Sequence, residues 1–325
     1  MTSFNIPVAL FNFNRPHLTR QVFEIVRQVK PKRLLLVADG PRADRPNDAR
    51  LCAEVRAIIE AVDWECEVSK NFADTNMGSF KRNSSGLNWV FDTVEEAIIL
   101  EDDCVPSLSF FPYCAELLER YRDDPRIAVI SGNSFVPPGP DQADASYFYS
   151  AYALTWGWAS WRRVWKQVDL GMTWWTPETG KRLLKAAFPK FSEWRYWFAL
   201  YERIHRGEMK NAWDYQLILS AFRHSQYCII PGFNMISNTG FGVDGTNCLN
   251  EFSPLQDVQR VEMQFPLVHP ASIQRNDLMD YMIFKMRFDS APLHRKAITR
   301  VASVLPAEWR VKIKDWLLNH IGIRF

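Results

Sequence analysis

The sequence predicts an α/β fold on a mostly parallel sheet, and three observations carry that expectation. Apolar runs of strand length recur at residues 6–11, 33–38, 97–100 and 127–130. Between them, apolar residues fall at helical spacing, as Leu18, Val22, Ile25, Val26 and Val29 do. The runs are continuous rather than alternating, the pattern of strands covered on both faces. Repeated strand–helix units of this kind imply parallel strands joined by right-handed crossovers.

Each element can be justified in order. Residues 6–11 read as the first strand, ending at Asn12-Phe13-Asn14-Arg15-Pro16, and the first helix follows. Arg33–Ala38 is a second strand, stopped by the turn signal Asp39-Gly40-Pro41. Leu51, Val55, Ile58, Ile59 and Val62 mark a second amphipathic helix, with a weaker strand around Cys66–Val68. A helix near 82–95 leads into Ala97-Ile98-Ile99-Leu100, which ends abruptly at Glu101-Asp102-Asp103. Phe110–Tyr121 reads as a helix and Ile127–Ile130 as a strand. The Pro- and Gly-rich stretch Val136–Asp141 is the best internal boundary, dividing residues 1–135 from 136–255 as two halves of one domain. Residues 256–325 form a helical, basic C-terminal extension.

Composition narrows the classes. A chain of 325 residues can bury a full core. A net charge of +2 gives no footprint for nucleic acid. Twenty-two Phe and 13 Trp argue against disorder. The six cysteines show no CxxC pair, so they read as reduced thiols of a cytoplasmic protein. The six histidines show no HxxxH or HxH spacing, which argues against zinc. No signal peptide and no apolar stretch of membrane-spanning length are visible.

The acidic trio is the sharpest chemical signal. Ligands of open parallel sheets bind beyond the carboxyl ends of the strands. Three adjacent carboxylates there repel one another unless a cation compensates them. Oxygen-rich sites select Mg²⁺ or Mn²⁺, which bridge carboxylates to substrate phosphates. A solvated helix start is the plain alternative, since Pro106 and Ser107 follow. Asp39, which is also an ordinary turn acid, and Asn14-Arg15 stand at equivalent strand ends, so the three loops should meet along a nucleotide-sized crevice. No GxGxxG follows the first strand and no GxxxxGK[ST] occurs, which removes support from dinucleotide oxidoreductases and P-loop enzymes.

Taken in order, several short pieces become specific. They are Phe11-Asn12-Phe13-Asn14-Arg15-Pro16, Ala38-Asp39-Gly40, Asn76-Met77-Gly78 and Ile98-Ile99-Leu100-Glu101-Asp102-Asp103. The second half adds Trp156-Gly157-Trp158-Ala159-Ser160-Trp161, Trp213-Asp214-Tyr215 and Ser237-Asn238-Thr239-Gly240-Phe241-Gly242. With these pieces the chain resembles nucleotide-sugar-dependent glycosyltransferases of the GT-A fold, in particular bacterial relatives of N-acetylglucosaminyltransferase I. The resemblance implies a donor-binding half over 1–135 and an acceptor and catalytic half over 136–255. It implies that Asp103 binds Mn²⁺ or Mg²⁺, that Asp102 lies near ribose or sugar, and that Asp39 accepts a hydrogen bond from uracil. Arg15 would sit beside base or phosphate, and Asp214 would be the catalytic base of an inverting enzyme. Read alone, Asp214 is equally an acid in a helix's first turn.

Other residues extend the expected site. Nine of the 13 tryptophans lie between Trp156 and Trp213. Trp194, Trp197 and Tyr201 recur at helical spacing and read as core. Trp156 and Trp158, flanking a glycine, read as a loop offering flat faces to an acceptor sugar, beside the alternative of a buried cluster. Lys81 and Arg82 could face the donor phosphates or simply begin a solvated helix. The stretch Asn238–Gly245 has the composition of a loop that closes over the donor, and equally of a plain surface loop. Relatives often carry histidine where this chain has Asn247, so Asn247 stays outside the metal set.

From Arg287 to Phe325, eight Lys/Arg against three acids give +5, with Trp316 among apolar partners. This is a segment for peripheral contact with an anionic inner-membrane face, or a packed terminal helix. The expected activity is metal-dependent, inverting transfer of a sugar from a nucleotide-sugar, UDP-linked, to a glycan or glycolipid acceptor. The alternatives are a sugar nucleotidyltransferase and a noncatalytic glycan-binding protein.

Overall fold

The computed structural model describes residues 4–136, 145–209, 213–240 and 258–288. The first apolar run becomes β1 (Val8–Asn12), buried at every position. Pro16 opens α1 (Pro16–Val29), where its fixed φ suits a helix start, and Leu18, Val22, Phe23 and Val26 are its buried face. The left-handed Lys30 ends that helix. Then come β2 (Arg33–Ala38), α2 (Asp48–Glu60), β3 (Glu67–Phe72), α3 (Ser79–Thr93) and β4 (Glu96–Glu101). β5 (Cys104–Pro106), α4 (Phe110–Arg120) and β6 (Ile127–Ser131) complete the first half.

The second half contributes β7 (Tyr147–Ser150), β8 (Trp158–Trp161), α5 (Arg162–Trp165), α6 (Pro177–Ala187) and α7 (Phe191–His205). After them come α8 (Trp213–Arg223), β9 (Tyr227–Pro231), β10 (Ile236–Asn238) and α9 (Asp277–Ile283).

Eight strands form one sheet in the order β3-β2-β1-β4-β8-β6-β9-β7. The pairs β3-β2, β2-β1, β1-β4 and β6-β9 are parallel, whereas β8 runs antiparallel to both β4 and β6, and β7 to β9. This is an α/β, Rossmann-like sheet, mostly parallel and flanked by helices. β3 closes one edge as a half-exposed, charge-bearing strand, EVSKNF, a composition that discourages further strand pairing. From β1 the chain moves outward to β2 and β3, then returns to β4 on the other side of β1. That reversal opens a crevice between the carboxyl ends of β1 and β4.

Strands from both sides of the 136–141 boundary interleave in this sheet. The boundary loop itself lies largely outside the described residues. The chain forms two compact units, Met1–Met282 and Ile283–Phe325. The basic segment proposed for membrane contact falls almost wholly outside the described residues. Among the described residues, no helix is long and apolar enough to cross a membrane. Among the described residues, Cys52, Cys66, Cys104, Cys114 and Cys228 are free thiols.

One expectation about local structure needs correcting. Trp156-Gly157-Trp158 is not wholly a loop, because Trp158 opens strand β8 in register with Ile99 and Ser131. Gly157 takes φ +61°, and a Cβ there would lie 2.6 Å from Ile236 Cδ1. The glycine thus answers a tight turn into β8 and the packing of Ile236, not the approach of a ligand.

Candidate functional site

The site begins with strand register. Phe11 of β1 pairs with Glu101 of β4, so the residues that follow each strand emerge side by side. Arg15, four residues beyond Phe11, turns its guanidinium onto the acids. Its Nε donates to Asp102 Oδ2 at 3.2 Å, and Nη2 forms ion pairs with Asp102 Oδ1 and, at 2.9 Å, Asp103 Oδ2. Asp102 is buried, while Asp103 and Arg15 each keep 15% of their side chains exposed.

The charges shift accordingly. Burial alone would lower Arg15, but the Asp102 and Asp103 carboxylates reverse that and hold it above its ordinary value. Burial raises Asp102, an effect that Arg15 offsets only in part. Burial also raises Glu101, reinforced by the charges of Asp103 and Asp102, with Arg15 opposing. The charge on Asp214 adds to the rise at Glu101, so α8 brings its first turn within electrostatic reach of that acid. Asp214 stands between Trp213, whose ring centroid lies 6.1 Å from that of Trp158, and Tyr215, whose carbonyl accepts from the Tyr201 hydroxyl.

The two-stranded sheet of β5 and β10 fixes the other side of the trio. β10 pairs antiparallel with β5, and Thr239 N donates to the Asp103 carbonyl at 2.8 Å. The backbone then passes so close that a Cβ on Gly240 would lie 2.1 Å from Asp103 Oδ2. Any side chain at 240 would displace that carboxylate. Beyond Gly240 the expected donor-closing stretch, with Asn247, lies outside the described residues.

Asp39 sits at the end of β2 with both carboxylate oxygens occupied. Gly40 N (2.8 Å) and Met77 N (2.9 Å) donate to Oδ1, while Asn76 Nδ2 (3.0 Å) and Gly78 N (3.2 Å) donate to Oδ2. A carboxylate has about four lone-pair sites, and all are engaged. Asp39 therefore ties the Asn76–Gly78 loop to the carboxyl edge, which gives the Asn76-Met77-Gly78 motif a physical reason.

A second carboxylate organises the neighbouring loops. Asp48, the first residue of α2, accepts from Asn14 Nδ2 at 2.8 Å and from Arg42 Nε at 2.6 Å. Arg42 in turn lies over the Phe13 ring, 5.2 Å from its centroid. These hydrogen bonds, Arg42's first, lower Asp48 to about 2 despite its burial. Sequence reasoning passed over Asp48 and Arg42. Their only signal is an acid at a helix start, which occurs in many helices for local reasons.

Lys81 stands exposed in the first turn of α3, whereas Arg82 is buried and its Nη2 donates to Asn71 O at 2.9 Å and Asn71 Oδ1 at 2.7 Å, so it does not face a donor. Trp156 is half-exposed, with its ring edge-on to Phe135 at 5.0 Å. Trp158 is 1% exposed and belongs to the core, so only Trp156 of the expected pair presents a surface. Trp197 and Tyr201 are fully buried, in keeping with their helical spacing, and Trp194 lies half-buried under Lys185.

Among the described residues, no three His, Cys, Asp or Glu side chains are placed to hold a metal together. A divalent ion fits only the mode that uses one or two carboxylates plus substrate phosphates and water. Asp103 suits that mode, being the more exposed carboxylate of the Arg15-bound pair.

No protein-family model matches the chain, and no curated protein matches it. Among solved structures it is similar to a UDP-glucose pyrophosphorylase complexed with UDP-glucose, at 11% identity over 50% of this chain and 78% of that one, TM-score 0.30. It is similar to 4-diphosphocytidyl-2C-methyl-D-erythritol synthase from Anaerococcus prevotii, at 12% identity over 50% and 73%, TM-score 0.31. A cytidylyltransferase from Leptospira borgpetersenii gives 9% identity over 52% and 64%, TM-score 0.32. Likenesses this distant carry no argument about activity. What stands is the architecture: an α/β sheet whose strand order reverses where Arg15, Asp102 and Asp103 meet.

Proposed function

We propose that this chain is an enzyme acting on a nucleotide-sugar, and within that class a metal-dependent inverting glycosyltransferase. Its donor would be a UDP-sugar, and its acceptor a hydroxyl of a surface-polysaccharide or lipopolysaccharide precursor. One observation carries the reading: Arg15 pairs with Asp102 and Asp103 at the strand-order reversal, beside Glu101, which feels the charge of Asp214.

The chemistry assigns each residue a task. Asp103 would hold Mn²⁺ or Mg²⁺ together with the donor's phosphates. Bound there, the ion neutralises charge growing on the departing diphosphate. Arg15 supplies a second cation beside the same phosphates, and Lys81 a third at the rim of α3. Asp102, gripped by Arg15, keeps that guanidinium oriented and borders the ribose or sugar. Asp39 acts through the loop it holds, shaping the uracil side of the crevice. Trp156 offers its half-exposed ring to the acceptor. Asp214 takes the proton of the acceptor hydroxyl as that oxygen attacks the anomeric carbon. The bond from that carbon to the phosphate oxygen breaks, and its electron pair leaves with UDP.

The sugar nucleotidyltransferase reading stands beside this one, because activated sugars are made on similar α/β sheets, although the Gly-rich loop that such enzymes carry after the first strand is absent at Asn12–Arg15. A UDP-release assay over a panel of sugar nucleotides, with Mn²⁺, Mg²⁺ or EDTA, separates the two. Metal-dependent UDP release is expected, falling by about 100-fold or more in Asp214→Asn while UDP still binds. Undiminished turnover in that variant removes Asp214 from the base role. Pyrophosphate formed from UTP and a sugar 1-phosphate would establish the nucleotidyltransferase instead. Glycan binding with neither activity would leave the noncatalytic alternative.

A further inference from the structure

A cavity of about 430 Å³ lies between the first turn of α3, the 170–172 turn, the end of α7 and the first turn of α8. That volume falls within the roughly 300–1,000 Å³ of small-molecule sites. Its walls are largely apolar, with Met77, Phe80, Met172 and Ile204 among them. Lys81 stands among them as an exposed cation.

Gln216 is the feature that needs a ligand. It lines the cavity, is 4% exposed, and its Oε1 accepts no hydrogen bond. A buried amide oxygen left unmet is costly, so one that lines a cavity is a place for a donor to bind. The oxygen lacks only a donor, and among the described residues none of the cavity's other polar groups supplies one. Gln216 shares the first turn of α8 with Asp214. The opposite wall is the Met77-Gly78 segment held by Asp39. Thioether and aliphatic walls suit the apolar face of a pyranose ring, and a lone acceptor oxygen suits one of its hydroxyls.

We propose that this cavity takes the sugar ring of the nucleotide-sugar donor and that Gln216 Oε1 accepts a hydrogen bond from one ring hydroxyl, which makes Gln216 a specificity-determining residue. The proposal rests on the glycosyl-transfer reading and extends it to the choice of sugar. A site built to bond a substrate hydroxyl discriminates against the deoxy analogue, because the protein group is then stranded.

Isothermal titration of the full chain with Mn²⁺ tests it, using UDP, UDP-glucose, UDP-galactose and UDP-N-acetylglucosamine. Gln216→Met removes the acceptor at similar length, and His205→Trp fills the cavity from an exposed position at the end of α7. UDP should bind both variants as it binds the wild type. The preferred UDP-sugar should lose about tenfold in Gln216→Met and more in His205→Trp, and the ranking among sugars should flatten. If Gln216→Met does not fold, His205→Trp still reads the sugar-specific loss. Sugar nucleotides that bind a folded variant as tightly as the wild type overturn the proposal, as does an equal loss for UDP. Wild-type protein that binds no UDP overturns this proposal and the glycosyltransferase reading together. Wild-type binding with an unchanged sugar preference in the variants removes only the role of Gln216.

Discussion

Glu101 carries an expensive charge. It shares a strand end with two more acids, and burial raises its pKa above the ordinary 4.5. A carboxyl whose folded pKa is raised contributes stability fully below its unfolded value, and that stability is lost as pH rises through the folded one. Glu101→Gln should therefore melt higher than the wild type at pH 8 in EDTA, with the gain shrinking toward zero below pH 4.5. Thermal melts across that range check it, and a gain independent of pH would contradict the electrostatic cause. The trio was legible as a string of acids ending an apolar run. Its Arg15 counter-charge was legible only as a residue at another strand end. The filled shell of Asp39 was not legible, because backbone donors from residues 77 and 78 reach it only after β3 and α3 have formed.

At the scale of elements, the loops after β1 and β2 are joined through the start of α2. Asp48 accepts from Asn14 on one side and Arg42 on the other, and its pKa falls from 3.8 to about 2. A lowered carboxyl contributes stability above the unfolded pKa that is lost as pH falls through the folded one. Asp48→Asn should thus lower Tm near pH 5, and the difference from the wild type should narrow between pH 4 and pH 2. A constant difference would mean that packing, not charge, ties these loops. The parallel strands were readable because burial on both faces leaves continuous apolar runs. β8 was not, since Trp158-Ala159-Ser160-Trp161 has the short, mixed composition of a loop, and antiparallel pairing to β4 and β6 makes it a strand. Long-range pairing overrode local propensity there.

For the whole molecule, both ends of the proposed chemistry hang on one sheet. The acids follow β4 and the candidate base opens α8, which leads into β9, three strands away in the sheet. Ligand binding at the β1–β4 reversal should therefore stabilise the full fold by mass action. UDP with Mn²⁺ is expected to raise Tm by several degrees, UDP with EDTA by less, and Asp103→Asn should erase the difference made by the metal. Equal shifts with and without metal would remove Asp103 from that role. The α/β class and the order of the candidate residues were visible in the chain. Its cavity was not, because Met77, Met172, Ile204 and Gln216 come from four separate segments with no shared motif.

The saturated carboxylate of Asp39 has a kinetic consequence. Met77 and Gly78 lie in a connecting segment, where amides ordinarily exchange with solvent quickly. Here both amides end on an anion buried under the loop that they belong to. In deuterated buffer, without any ligand, these two amides should exchange as slowly as those of neighbouring strands. Asp39→Ala should release them while the amides of β1 remain protected.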